Sequence, residues 1–210
     1  LVGSEMCIRD RDKRRELLLS CASHNLSQLA HIFSELAQLP HQLRMMRIGS
    51  DLLPLFTVPE AQEPYQSLLP DLLPLFAHAG ALAKKADIRL SFHPGQYTVL
   101  ASETPEVVDR ALVDIEYHAL CARLLGYGRE FQDFKINIHM NGRAGFAGFK
   151  APFERLSPEA RLMLTVENDE VSCSLDDVLQ ARDLCPIVLD IHHHWVKENQ
   201  FIPVSYTHLR

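Results

Sequence analysis

What most constrains this chain is a regular alternation of extended and helical segments in which every extended one ends in an acid or an imidazole. Apolar residues recur at helical spacing over residues 13–39, which puts Leu18, Cys21, Leu26, Leu29, Ile32 and Leu36 on one predicted stripe. A strand follows at 44–49 (RMMRIG). A helix is then predicted over 64–86, with its first part made irregular by Pro70 and Pro74. In the next segment, DIRLSFH at 87–93, Ile88, Leu90 and Phe92 alternate with polar neighbours until Pro94-Gly95 stops the run. Thr104-Pro105-Glu106 opens a helix that reaches about residue 125: a hydroxyl cap, proline at the first helical position, then an acid. Further strands are predicted at 133–140 (DFKINIHM), 162–169 (LMLTVEND) and 186–194 (PIVLDIHHH). A helix lies between the last two, over 174–184, with Ser174 as its cap.

Strict alternation of this kind calls for a parallel sheet with helices outside it. An open doubly wound sheet and a closed (β/α)₈ barrel both satisfy that pattern, and the strand ends separate them. The strands end in Gly49-Ser50-Asp51, in His93, in His139 and in Glu167-Asn168-Asp169, and the last carries Asp190, His192, His193 and His194. In a barrel the active site is built at the C-terminal ends of the strands all round the rim, whereas an open sheet uses the few that flank its switch point. The expectation is an α/β fold of the TIM-type (β/α)₈ class. A complete barrel takes about 250 residues. Five β/α units are visible, so the barrel is expected to be incomplete, with its first and last strands missing.

His93, His139, Glu167, Asp190 and His193 form a mixed imidazole and carboxylate set without thiolates. Such donors suit Mn²⁺, Zn²⁺ or Fe²⁺ better than Ca²⁺. Carboxylates able to bridge, flanked by histidines, point to two or three neighbouring ions of the kind that serve phosphoryl chemistry. A single histidine at a strand end is more often a hydrogen-bonded structural residue. Five such ends in register are harder to explain one at a time. No dinucleotide-binding, P-loop or nucleophile-elbow motif competes, and no organic cofactor is expected. The glycine-rich run GRAGFAG at 142–148 reads as a rim loop.

The 210 residues are 47% apolar, enough for one sizeable core, and the formal net charge of −6 argues against a uniformly basic nucleic-acid binder. A metal cluster and a local basic patch can still reverse the sign of the field at one site. Five scattered cysteines, with no CxxC pair, argue against a disulfide framework and for a reduced, cytoplasmic protein. No apolar run approaches the roughly 20 residues that span a membrane, and no signal-peptide pattern is present. Residues 1–11 (LVGSEMCIRDR) and 203–210 (PVSYTHLR) match nothing around them and read as a foreign leader and tail, leaving 12–202 as a partial barrel domain.

The blocks NLSQLAHIF, RIGSDLLP, LSFHPGQY, INIHMNG, LTVENDE and IVLDIHHH resemble, in order and spacing, those of the UV damage endonucleases. These are barrel enzymes akin to endonuclease IV and xylose isomerase. The resemblance covers about residues 13–200. It implies a bacterial, cytoplasmic DNA repair enzyme that cuts the phosphodiester backbone 5′ to UV photoproducts in double-stranded DNA, with Mn²⁺ and without an obligate protein partner. His93, His139, Glu167, Asp190 and His193 match the family's metal ligands; Glu167 is the bridging one, and Glu167, His93 and His139 carry the catalysis. Gln96 and Tyr97 match the pair that probes the lesion, and Arg143 and Lys150 are candidate phosphate contacts. Family strands that bring further ligands after HHH have no counterpart here, which suggests an internal fragment. The alternatives are a sugar isomerase or epimerase of the same barrel group, or an inactive fragment.

Overall fold

The computed structural model describes the backbone of residues 2–201 and the side chains of 12–201, so the leader's side chains at 1–11 and the tail at 203–210 lie outside the described residues. The elements run α1 (Val2–Leu36), β1 (Met45–Ile48), α2 (Pro59–Lys85), β2 (Arg89–Phe92), α3 (Pro105–Leu124), β3 (Lys135–His139), α4 (Gly145–Arg155), α5 (Pro158–Met163), β4 (Leu164–Glu167), α6 (Leu175–Leu179), β5 (Ile187–Val188) and α7 (Ile191–Glu198). The strands form one parallel sheet in the order β1-β2-β3-β4-β5. Strictly sequential order is what successive barrel units produce, whereas a doubly wound sheet reverses direction at its switch point. The chain is thus α/β, with five strands in TIM-barrel succession.

Two compact units make up the chain: Leu1–Leu90 with Leu120–Tyr127, and Ser91–Ala119 with Gly128–Arg210. In the first, α1 packs along α2. The buried face of α1 is Leu18, Ala22, Leu26, Leu29 and Phe33, and Ile32, placed on the stripe by sequence, is instead 39% exposed. The phenyl ring is the larger apolar group, and the spacing of four, four, three and four residues brings it, not Ile32, onto the buried face. Helix α2 begins earlier than predicted and runs unbroken through Pro64, Pro70 and Pro74. Its buried stripe of Ala61, Tyr65, Leu68, Leu72, Phe76, Ala79 and Ala83 outweighs the lost backbone hydrogen bonds. Pro70 and Pro74 lie on its exposed side, where solvent can satisfy the freed carbonyls.

In the second unit β3 and β4 pair with Ile136 opposite Leu164, Asn137 opposite Thr165, Ile138 opposite Val166 and His139 opposite Glu167. Side chains alternate between sheet faces. One face therefore carries Ile136, Ile138, Leu164 and Val166, all at most 1% exposed, and the other carries only polar groups. Strand β5 is shorter than the predicted 186–194. It stops at Val188, and the three histidines are helical because Asp190 caps α7, its carboxylate accepting from the His193 amide at 2.9 Å. The glycine-rich run is also mostly helical, since α4 starts at Gly145. Gly142 is needed as glycine: its φ is +118°, and a Cβ there would lie 2.2 Å from the Ala101 carbonyl oxygen.

Candidate metal centre

The register of β3 on β4 puts Asn137, His139, Thr165 and Glu167 on the polar face. Phe92 pairs with Ile136, so His93, one residue further on, turns to that same face. Three side chains from three successive strands thus converge. His93 Nε2 lies 3.0 Å and His139 Nε2 3.2 Å from the same Glu167 Oε1. The other Glu167 oxygen accepts from Asn137 Nδ2, and Asn137 Oδ1 accepts from Thr165 Oγ1 at 2.9 Å.

Helix α7 closes the cluster. Asn168 exchanges two hydrogen bonds with the Asp190 backbone, both at 2.9 Å, which fixes where the helix starts. His193, in its first turn, sets its ring 5.0 Å from that of His139, tilted by 40°. Its Nε2 faces Glu170 Oε2 at 3.4 Å, and its Nδ1 lies 3.7 Å from Asp190 Oδ2. Among the described residues three groups offer donor atoms within 4.8 Å of one another: His93, His139 and Glu167; His139, Glu170 and His193; and Glu167, Asp190 and His193. Of the three consecutive histidines only His193 belongs to these groups. His192 is exposed, and His194 is buried with neither ring nitrogen hydrogen-bonded.

Proton positions test whether these residues fit metal ions. His93 Nδ1 lies 3.0 Å from the Pro94 carbonyl and His193 Nδ1 lies 2.9 Å from the Asn168 carbonyl. A carbonyl can only accept, so each Nδ1 carries the proton and, in the neutral ring, Nε2 turns a lone pair toward a carboxylate. Lone pair against carboxylate is repulsive unless a cation or a proton lies between. An imidazole held through Nδ1 by a carbonyl, with Nε2 directed at a carboxylate oxygen, is the arrangement of metal-ligating histidine. The donor set fits divalent ions of the Mn²⁺, Zn²⁺ or Fe²⁺ kind.

Electrostatics agree with that fit. Burial opposes ionisation of Glu167, but a proton on His93 Nε2, the Asn137 amide and positive charge at His93 and His139 outweigh it and hold the carboxyl below its usual range. A cation between the rings and the carboxylate supplies the same attraction in place of that proton. Burial pushes the His139 pKa down; Glu167 counters this in part, while His93 and His193 add to it. The cluster therefore favours an ionised glutamate and a neutral His139, the protonation states that bind metal.

All five residues predicted as ligands come together here, although Asp190 and His193 arrive on a helix start and not a strand. Asp51, at the end of β1, lies in a 3₁₀ turn, with its carbonyl accepting from Asn25 Nδ2 at 3.0 Å, and is in none of the three groups. Gln96 and Tyr97 sit on the turn just past His93, with Tyr97 85% exposed. Arg143, before α4, and Lys150, within it, are both exposed. Sequence reasoning missed Asn137, Thr165, Asn168 and Glu170. Asn137 had a signal, because it stands two residues before His139 and so shares its face. Asn168 had none, since its role depends on where α7 begins.

The model of the UV-endonuclease UvdE family matches residues 4–205. A UV DNA damage endonuclease of Bacillus anthracis (strain A0248) is 28% identical over 191 residues, covering 88% of this chain and 58% of that protein. The UV DNA damage endonuclease of Bacillus cereus (strain ATCC 10987 / NRS 248) matches to the same extent. The crystal structure of SacUVDE superposes with a TM-score of 0.73 at 29% identity, over 87% of this chain and 62% of that one. The chain thus spans less than two thirds of the length of these relatives. Among the described residues no helix is long and apolar enough to cross a membrane.

Proposed function

The chain belongs to the UV-endonuclease UvdE family, and from that premise we propose that it acts in DNA repair as an endonuclease that hydrolyses a phosphodiester bond 5′ to a UV photoproduct, leaving a 3′-hydroxyl. The observation that carries this reading is the convergence of His93 and His139 on one oxygen of a buried Glu167, with His193 beside them. His93, His139, Glu167, Asp190 and His193 would hold two or three divalent ions, with Mn²⁺ the proposed metal. Bound there, such ions supply Lewis acidity to a phosphoryl group and lower the pKa of water.

The protein's own residues do the rest. Asn137, held by Thr165, keeps the Glu167 carboxylate oriented and ionised. Pro94 and Asn168 fix the imidazole tautomers of His93 and His193 through their carbonyls. Gln96 and Tyr97 contact the lesion. Crosslinked pyrimidines stack poorly and so leave the helix at lower cost than normal bases. An exposed phenol ring stacks on a displaced base for about 1–3 kcal/mol. Arg143 and Lys150 hold flanking phosphates. A pocket for a small sugar would enclose such a ring instead of leaving it 85% exposed.

Supercoiled plasmid, irradiated or not, tests the reading when it is incubated with the protein and Mn²⁺. Nicking is expected to need irradiation, the metal and Glu167, and to vanish with Glu167→Ala. Equal nicking of unirradiated plasmid, or nicking by Glu167→Ala, would overturn it.

A further inference from the structure

The turn that carries Gln96 and Tyr97 is held on both sides by contacts that no part of the metal cluster requires. Tyr97 is 85% exposed, yet its neighbour Thr98 is 5% exposed. The Thr98 hydroxyl donates to the Asp114 carboxylate on α3, and the Thr98 amide donates to the Gly95 carbonyl at 2.9 Å. From the other side, Asn141 Nδ2 donates to the Gln96 carbonyl at 3.0 Å. Asn141 is itself placed by the close approach of Gly142 to Ala101, whose carbonyl also accepts from the Ala144 amide at 3.2 Å.

Asp114 ties this turn to the metal-bearing strand. Its backbone carbonyl accepts from Nδ1 of the fully buried His118 at 2.7 Å, and the His118 ring meets Phe92 edge-on at 5.0 Å. Phe92 immediately precedes His93. One residue of α3 therefore fixes, through its side chain, the turn beyond His93 and, through its main chain and His118, the strand that leads to it. A charge-assisted hydrogen bond is about twice as strong as a neutral one, and the largely buried Thr98 side chain shields it from competing water.

We propose that Thr98, Asp114 and Asn141 are positioning residues that clamp the Gln96-Tyr97 turn in its presenting conformation, so that discrimination of a damaged duplex depends on a rigid turn as well as on the two side chains it carries. The clamp rests on the endonuclease reading for what it presents, but its mechanics can be measured without DNA. An ordered turn meets a lesion without losing conformational entropy on binding, and that entropy is the cost a mobile loop would add.

The test compares Thr98→Val, Thr98→Ser and Asp114→Asn with the unaltered protein in two measurements. Hydrogen exchange of the amides at 96–99 should quicken in Thr98→Val and Asp114→Asn and return to the original rate in Thr98→Ser, which keeps the hydroxyl. With Mn²⁺ bound, the ratio of dissociation constants for an undamaged duplex and one carrying a single pyrimidine dimer should fall about tenfold in the first two, equivalent to about 1.4 kcal/mol, and recover with serine. Bound Mn²⁺ per chain should not change. Unaltered exchange, or a full preference for the dimer in Thr98→Val, overturns the clamp. Loss of preference accompanied by loss of metal, or not restored by serine, also overturns it, because the role would then be general packing. If the unaltered protein shows no preference for the dimer, the endonuclease reading fails and the clamp's presenting role falls with it.

Discussion

Asn137 sets the chemistry of its neighbour while belonging to none of the three candidate ligand groups. Its amide points at one Glu167 oxygen and leaves the other for two imidazoles. Outer partners of this kind typically contribute 10–100-fold to metal affinity. Asn137→Ala should weaken Mn²⁺ binding by about that factor in isothermal titration, with the far-UV circular dichroism unchanged. Tyr97 is the opposite case, since an 85% exposed ring supports nothing in the fold. Tyr97→Ala should leave the unfolding free energy within about 0.5 kcal/mol and cost about 1–3 kcal/mol of binding to a dimer-containing duplex, read by fluorescence anisotropy. At this scale the donor types of the candidate groups were legible in the sequence, because the strand ends displayed them. The tautomers were not: they depend on which backbone carbonyl lies beside each ring, and neither the Pro94 nor the Asn168 carbonyl has a side-chain signature.

Among the elements, α7 shows one residue under two demands. Asp190 is both the cap of that helix and a member of a candidate ligand group. Asparagine caps about as well as aspartate, whereas alanine forfeits about 0.5–2 kcal/mol. Asp190→Asn should therefore keep the melting temperature and lose metal affinity, and Asp190→Ala should lose both; differential scanning calorimetry and metal titration on the pair separate the two roles. This element was also where the strand pattern misled. The apolar run before Asp190 extends the strand signal, and only the cap geometry reveals that the chain turns helical at Ile191. In α2 the prolines misled in the opposite sense, because their local cost was visible in sequence while the buried stripe that overrides it involves a partner helix.

For the molecule as a whole, acid should destabilise the metal-free protein in two stages. Burial lowers the pKa of His118, against the pull of Asp114, and likewise that of His139. Both rings are thus harder to protonate folded than unfolded, and the unfolded chain binds the extra protons. Their contribution is complete above the ordinary histidine value of about 6.5 and is lost as pH falls below it. Glu167, also depressed, adds a second loss at pH values below the usual carboxylate range. Melting temperatures measured from pH 8 down to 2 without metal should fall in that order, and a flat profile between 7 and 5 would contradict it. The sequential strand order was legible because an acid or an imidazole stood at or just past every strand end. The register was not, since period-two alternation tells which residues share a face and nothing about which neighbour each one meets. That register has a practical consequence. Sliding β4 by one residue along β3 would set Glu167 against an isoleucine and turn the acid into the apolar layer. If the candidate groups hold an ion as proposed, its uptake is a proofreading signal for folding: a preparation that captures the ion has aligned its strands, and one that does not can be discarded before activity is assayed.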